Sequence, residues 1–413
     1  MMKLTDKKYI KFIIFLCSAL YFVSYMTRIN YQAVLVEITK SLGVEKSAAS
    51  LALTLSAISY GSGQLISGYL GDKFKPDKII LSGLICTTIM NILIPFCPTT
   101  GYMAVVWFIN GFAQSMMWPP IVKIMTSMLT EDDYKKGCIK VSCASSVATI
   151  LIYLTSPVII YCIGWKGVFG FSAVLSIAMC FIWTAGYKAT KKQLKEVETS
   201  ELKSEVITDE NHKKFTFKVV AILAIAMFTI ILQGALRDGV STWMPTYISE
   251  SFGLGSEISI LTNVLLPIFS IFCYQIASWL NRKVIHNEFL CVATTFGLTI
   301  ISAVALSGFG NSSVILTVII AAVLNASSHA TNYIQTCLLP IYFTRYGKVS
   351  FISGLLNSCT YMGTAVSIYG IALLTTSMSW SEIALVWAFI AAVGLIITCV
   401  FSKMWNKLKK GEL

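Results

Sequence analysis

Long apolar runs, each broken by a short polar or basic stretch, recur along the whole of this 413-residue chain. A helical bilayer crossing takes about 20 mainly apolar residues. Runs of that length fall at approximately 10–34, 50–70, 79–96, 101–128, 139–161, 167–187, 217–247, 258–280, 288–309, 313–341, 349–374 and 382–403, which predicts twelve transmembrane helices. The pattern stops once, where KATKKQLKEVETSELKSEVITDENHKK follows Tyr187. Such a run of mixed charge buries too little apolar surface to fold alone, so it reads as a linker, partly helical or disordered. It divides the crossings six and six: a first bundle at 1–187, a cytoplasmic linker at 188–216 and a second bundle at 217–413. The first run is too long for a leader's apolar segment, lacks a small-residue cleavage site and contains Arg28 and Asn30, so it reads as a retained helix.

Composition agrees with an all-α membrane protein: 56% of residues are hydrophobic and 13% charged, against about 25% charged in soluble domains. The net charge of +12 follows the membrane and gives no reason to expect nucleic acid as a partner. Of the 32 Lys and Arg, only Lys40, Lys46 and Lys166 fall on one side, and only Arg28, Lys123 and Arg237 fall inside crossings. The rest share the other side, which the positive-inside rule makes cytoplasmic, together with both termini. A multi-pass protein of the cell membrane, monomeric in the bilayer, is expected. The twelve cysteines form no CxxC pair, so neither a metal site nor a disulfide framework is indicated, although Cys97 and Cys162 both lie near the outer face. Three histidines and no close carboxylate pair within the crossings leave acid-base chemistry little to use. No enzyme, cofactor or metal is expected.

Two arginines change the picture. Arg28 lies in YFVSYMTRINY and Arg237 in LQGALRDGVSTWMPTY, each in the first crossing of its half. At about 1.5 Å per residue each is some 25–29 Å beyond the last cytoplasmic lysine, Lys11 or Lys218. A charge at bilayer depth costs roughly 2.5–3.5 kcal/mol even on lenient scales, so it marks a functional site by default. Carriers built from repeats put their substrate at the repeat interface, and the planar guanidinium fork suits phosphate or carboxylate. Snorkelling is poor at that depth. A structural ion pair needs an acid, and only Glu37 and Asp238 lie in or near crossings away from loops. Asp238 adjoins Arg237, and residues one apart leave a helix about 100° from each other, so they are not expected to share a face. Both arginines are therefore expected to await an anion.

Helical spacing puts Ser24, Tyr25, Tyr31 and Gln32 beside Arg28, and Gln233, Gly234 and Ser241 beside Arg237. Tyr60 and Gln64, one turn apart, offer further polar contacts, as do His329, Tyr333, Asn357 and Tyr361 in the second half. A hydrogen bond between helices is the alternative role for His329. Trp118-Pro119-Pro120 should kink the fourth crossing, and Lys123 should reach the interface as an anchor.

Six plus six crossings and the loop GYLGDKFKPDK after the second, echoed by ASWLNRKV after the eighth, resemble the major facilitator superfamily. SYMTRIN (24–30), WPP (118–120, followed by Lys123) and R-x5-W-x-P-T-Y (Arg237, Trp243, Pro245, Thr246, Tyr247) narrow the resemblance to the organophosphate:phosphate antiporters. It covers nearly the whole chain, with general character alone in crossings 9–12. It implies a secondary active carrier working by alternating access, exchanging a small anionic phosphate ester for phosphate, with Arg28 and Arg237 on the phosphoryl group. The family lysine of the second crossing falls on Gln64, and the glycerol-3-phosphate carriers' histidine of the fifth falls on Ser145. The loop's second glycine is replaced by Lys75. Asp72 and Lys73 are expected to latch helices on the cytoplasmic side. A proton-coupled carrier of a carboxylate or other organic solute, with His329 or Asp238 titrating, and a carrier-like membrane sensor of a phosphate ester are the alternatives.

Overall fold

The computed structural model describes residue 4 and residues 6–44, 46–201, 215–253, 265–375 and 377–412. Part of the expected linker (202–214) and the start of the eighth crossing (258–264) lie outside them. The described residues form helices: α1 (Lys7–Ala33), α2 (Leu35–Leu42), α3 (Lys46–Lys73), α4 (Pro76–Leu93), α5 (Thr100–Ser115), α6 (Trp118–Met128), α7 (Glu131–Ile163), α8 (Trp165–Glu201), α9 (Phe217–Phe252), α10 (Leu265–Trp279), α11 (Glu288–Phe309), α12 (Val314–Tyr333), α13 (Val349–Leu374) and α14 (Trp380–Lys410). Eight segments are long and apolar enough to cross a membrane by length and composition: α1, α4 with its 3-10 turn, α7, α8, α9, α11, α12 with the turns after it, and α14. The other four expected crossings are α3, the α5–α6 pair, α10 and α13. The fold is the expected all-α twelve-crossing architecture.

The chain divides into two units, residues 1–213 with 343–355, and residues 214–342 with 356–413. In the first, α3 runs along α5, α1 along α7 and α8, and α4 along α8. In the second, α11 lies against α14 and α12, and α12 also meets α9 and α10. Burial is inverted relative to a soluble protein. Phe15, Val174 and Phe181 in the first unit, and Phe272, Ile301 and Phe389 in the second, are well exposed. Ser59, Gln64, Asn91, Asn110, Gln233 and Asn325 are buried. Lipid solvates the apolar outside as well as a core would, so helices associate through small residues and interhelical hydrogen bonds.

That inversion accounts for the many small and polar residues of α3. Its sequence, SAASLALTLSAISYGSGQLISGYLGDK, supplies a small-residue face. The Ser59 hydroxyl donates to the Phe108 carbonyl at 2.7 Å, and a Cβ on Gly111 of α5 would overlap the Ser56 carbonyl. In the second unit, Gly234 of α9 meets the Thr360 carbonyl of α13 just as tightly, and Gly363 meets the Ile231 carbonyl. Backbone blocks these glycines, so neither contact yields by a side chain rotating away. Gly234→Ala is expected to cost about 1–3 kcal/mol through overpacking, read as a lowered melting temperature in detergent. Gly170, open on every side, is the control substitution.

Expected boundaries shift in two places. The fourth crossing breaks fully rather than kinks: α5 ends at Ser115 and α6 starts at Trp118, with Pro119 and Pro120 in its first turn. There the missing proline N–H costs nothing, because first-turn donors have no intrahelical partner. The sixth crossing continues as α8 to Glu201, into the stretch expected as linker.

Candidate functional site

The first unit holds Arg28 in an aromatic setting. Its guanidinium carbon sits 4.2 Å from the ring centre of Tyr25, one turn earlier on α1, and 4.6 Å from that of Tyr60 on α3. Each ring face is attractive to a cation, and a planar guanidinium stacks well on it. Tyr25 meets Tyr21 edge-on, and Tyr21 packs on Trp118 with centroids 5.1 Å apart. The helix break therefore places Trp118 behind the tyrosines that flank Arg28.

What fixes the rotation of α1 is a buried polar network absent from the sequence expectations. Ser24 donates to the Gln114 side-chain oxygen, and the Gln114 amide donates to the Thr27 hydroxyl at 2.8 Å. Asn30 donates to Asn91 at 2.7 Å, while Asn91 and Asn110 both donate to the Thr27 carbonyl. Tyr31 is fully buried against Trp107 and Phe169. Ser24 and Tyr31, expected beside Arg28, thus face the bundle interior, and the neighbouring face carries Tyr21, Tyr25 and Arg28. Gln114, Asn91 and Asn110 were signalled in the sequence only as polar residues inside apolar runs.

Gln64, a turn after Tyr60, is fully buried, and neither atom of its amide has a hydrogen-bond partner among the described residues. Ser145 on α7 is buried and donates to the Ser142 carbonyl at 2.8 Å, a local bond along its own helix.

In the second unit the expectation for Asp238 is overturned. Arg237 Nε lies 2.6 Å from Asp238 Oδ1 and its Nη2 lies 2.7 Å from Oδ2, a bidentate pair; Thr364 of α13 also donates to Oδ2. Adjacent residues do leave the helix in different directions, but that constrains Cβ atoms only. The long arginine stem curls back and brings the fork onto its neighbour. His329 shares a hydrogen bond with the Tyr274 hydroxyl through Nδ1, at 3.1 Å. Gln233 is occupied in packing: it donates to the Ser328 carbonyl at 3.1 Å and accepts from Asn332 at 3.1 Å. Asn357 is buried on α13.

Asp72 ends α3 in a defined setting. It accepts from the backbone N–H groups of Ser350 and Phe351 at 3.1 and 2.8 Å, so its carboxylate caps the start of α13. First-turn N–H groups lack intrahelical partners, and an anion there gains from the helix dipole. Lys123 pairs with Asp72 at 3.0 Å. This corrects the expected anchoring role, because the stem that would have snorkelled reaches an acid on the next helix. Lys73 is exposed and stands over the Tyr69 ring at 4.4 Å, away from the cap. Beside it a Cβ on Gly68 would lie 2.8 Å from the Ser350 carbonyl. All twelve cysteines, Cys97 and Cys162 included, are free thiols.

A family model described as Major Facilitator Superfamily matches residues 17–367. The chain is 23% identical over 287 residues to the probable hexose phosphate transport protein of Chlamydia trachomatis, covering 64% of this chain and 62% of that one. It is 26% identical over 261 residues to the glycerol-3-phosphate transporter of Bacillus subtilis, covering 57% and 56%. The matched segments thus span about three fifths of these relatives' length. Among solved structures, the human organic anion transporter MFSD10 superposes with a TM-score of 0.71 at 11% identity, over 96% of this chain and all of that one. The two sequence relatives carry the names of the organophosphate branch that the motifs in crossings 1, 4 and 7 resemble.

Proposed function

This chain belongs to the major facilitator superfamily and is a multi-pass membrane transporter, and we propose that it moves a small organic anion, a phosphate ester, in exchange for phosphate by alternating access. The observation that carries the reading is Arg28, a permanent cation at membrane depth held against the faces of Tyr25 and Tyr60. That stacking orients the guanidinium, and phosphate offers oxygens in a geometry that matches its planar fork. The names of the curated relatives support the same cargo class. In this reading Arg28 and Arg237 hold the phosphoryl group and Tyr25, Tyr60 and Gln64 complete its surroundings. Asp72 stabilises one state of the cycle through its cap on α13. Both termini lie in the cytoplasm, on the strength of the lysine distribution.

Arg237 already holds an acid, Asp238, so it does not stand bare in the empty carrier. Counterflow tests the mode directly. Liposomes containing the purified protein and loaded with inorganic phosphate should take up labelled glycerol 3-phosphate or glucose 6-phosphate at least about tenfold faster than empty ones. Equal uptake into empty liposomes, driven by a pH gradient alone, would rule exchange out.

A further inference from the structure

We propose that Asp238 is the group that takes up a proton when an anion binds Arg237, so that a dianionic cargo enters its site together with one proton. This rests on the reading of Arg237 as a substrate ligand and is independent of whether the carrier exchanges or co-transports.

The geometry sets the problem. The Nε and Nη2 edge of Arg237, the one that takes two oxygens side by side, is filled by both carboxylate oxygens of Asp238. The pair sits in a confined setting, with Arg237 12% and Asp238 22% exposed. A phosphoryl group arriving on this guanidinium must displace the carboxylate or share the cation with it. Either way two anions crowd one cation where water is scarce, and like charges at such separation do not both stay ionised. Asp238 is the better proton acceptor of the two places available, because its protonated form keeps a role. Thr364, which now donates to Oδ2, can rotate its hydroxyl to accept, so the neutral acid retains a partner. The cation released by Asp238 is then wholly the anion's.

From α12, the Nδ1 of His329 is already engaged by the Tyr274 hydroxyl of α10. From α13, the group presented to the carboxylate is the Thr364 hydroxyl, which does not titrate. The acid of α11, Glu288, is committed to Lys409, Tyr342 and Trp405. That leaves Asp238 itself as the seat.

Proton linkage reads this out without transport. Glycerol 3-phosphate, glucose 6-phosphate and inorganic phosphate are titrated calorimetrically onto purified protein at pH 8, where each is mainly a dianion, in buffers of different ionisation enthalpy. For an anion that binds, the expected result is uptake of about one proton per anion by the wild type and none by Asp238→Asn, which still binds. A slope near zero in the wild type overturns the proposal. So does a slope that persists in Asp238→Asn, since it puts the proton on the ligand or on His329. Should Asp238→Asn not fold, Thr364→Val takes its place and is expected to reduce the uptake; unchanged uptake would count against the proposal. If none of the three anions binds the wild type, the anion reading falls and this proposal with it. Binding without proton uptake leaves the anion reading standing and removes only Asp238.

Discussion

Arg28→Ala is expected to lower exchange of glycerol 3-phosphate or glucose 6-phosphate against phosphate by 100-fold or more, with little loss of stability. The magnitude comes from the contacts removed. A hydrogen bond involving a charged group is worth about 1.5–3 kcal/mol, and a bidentate grip supplies two of them; each 1.4 kcal/mol is tenfold. Arg28→Lys keeps the charge but loses the planar fork and its stacking on Tyr25 and Tyr60, so it should fall between, at about tenfold or worse. Tyr60→Phe retains the ring face and should stay within a few fold of the wild type. Uptake into phosphate-loaded liposomes, with melting in detergent as the check on folding, decides the series. Full activity in Arg28→Ala would end the case for a phosphoryl ligand in the first unit.

The largest effect on stability is expected at a residue with no place in the substrate reading. Glu288 opens α11, is fully buried, and gathers distant parts of the second unit. Tyr342 and Trp405 donate to it at 2.7 and 2.8 Å, and Lys409 pairs with it at 3.1 Å. Trp405 stacks on Phe289 with centroids 5.1 Å apart, and Lys409 also donates to the His286 carbonyl. The end of α14 is thereby tied to the start of α11. Glu288→Ala removes the carboxylate that an indole N–H, a phenol and an ammonium share, leaving the ammonium the His286 carbonyl, and breaking a buried pair from one side costs about 3–5 kcal/mol. Glu288→Gln keeps the size and one acceptor oxygen and should cost less. The readout is melting followed by tryptophan fluorescence, in which Trp405 should report early loss. A Glu288→Ala protein as stable as the wild type would show that the network contributes nothing net.

Much of the architecture could be read directly from the chain. Lipid demands a fixed length of apolar helix, so twelve runs announced twelve crossings, including α3, α13 and the broken α5–α6 pair, whose polar faces or break keep them below a plain length-and-hydropathy standard. The arginines stood out for the same reason, a charge inside an apolar run being conspicuous. WPP marked the fourth crossing correctly, though as a break. The errors share one cause. Spacing alone makes Lys123 an anchor, keeps Asp238 off the face of Arg237, and puts Ser24 and Tyr31 beside Arg28. In each case the side chain's partner lies elsewhere in the chain or depends on how a flexible stem folds. Spacing along a helix gives the direction of a Cβ and says little about where four or five further atoms end.

The sequence by itself determined what crosses the membrane and which charges go in with it, because the penalty for apolar length and buried charge is local to each segment. Only the tertiary structure decided which partner each of those charges takes. The rotation of α1 is set by Gln114, Asn91 and Asn110 from other helices, and the acid on Arg237 is held in place by Thr364, 126 residues away. Such choices depend on the relative position of packed helices, a quantity that no single run of residues contains.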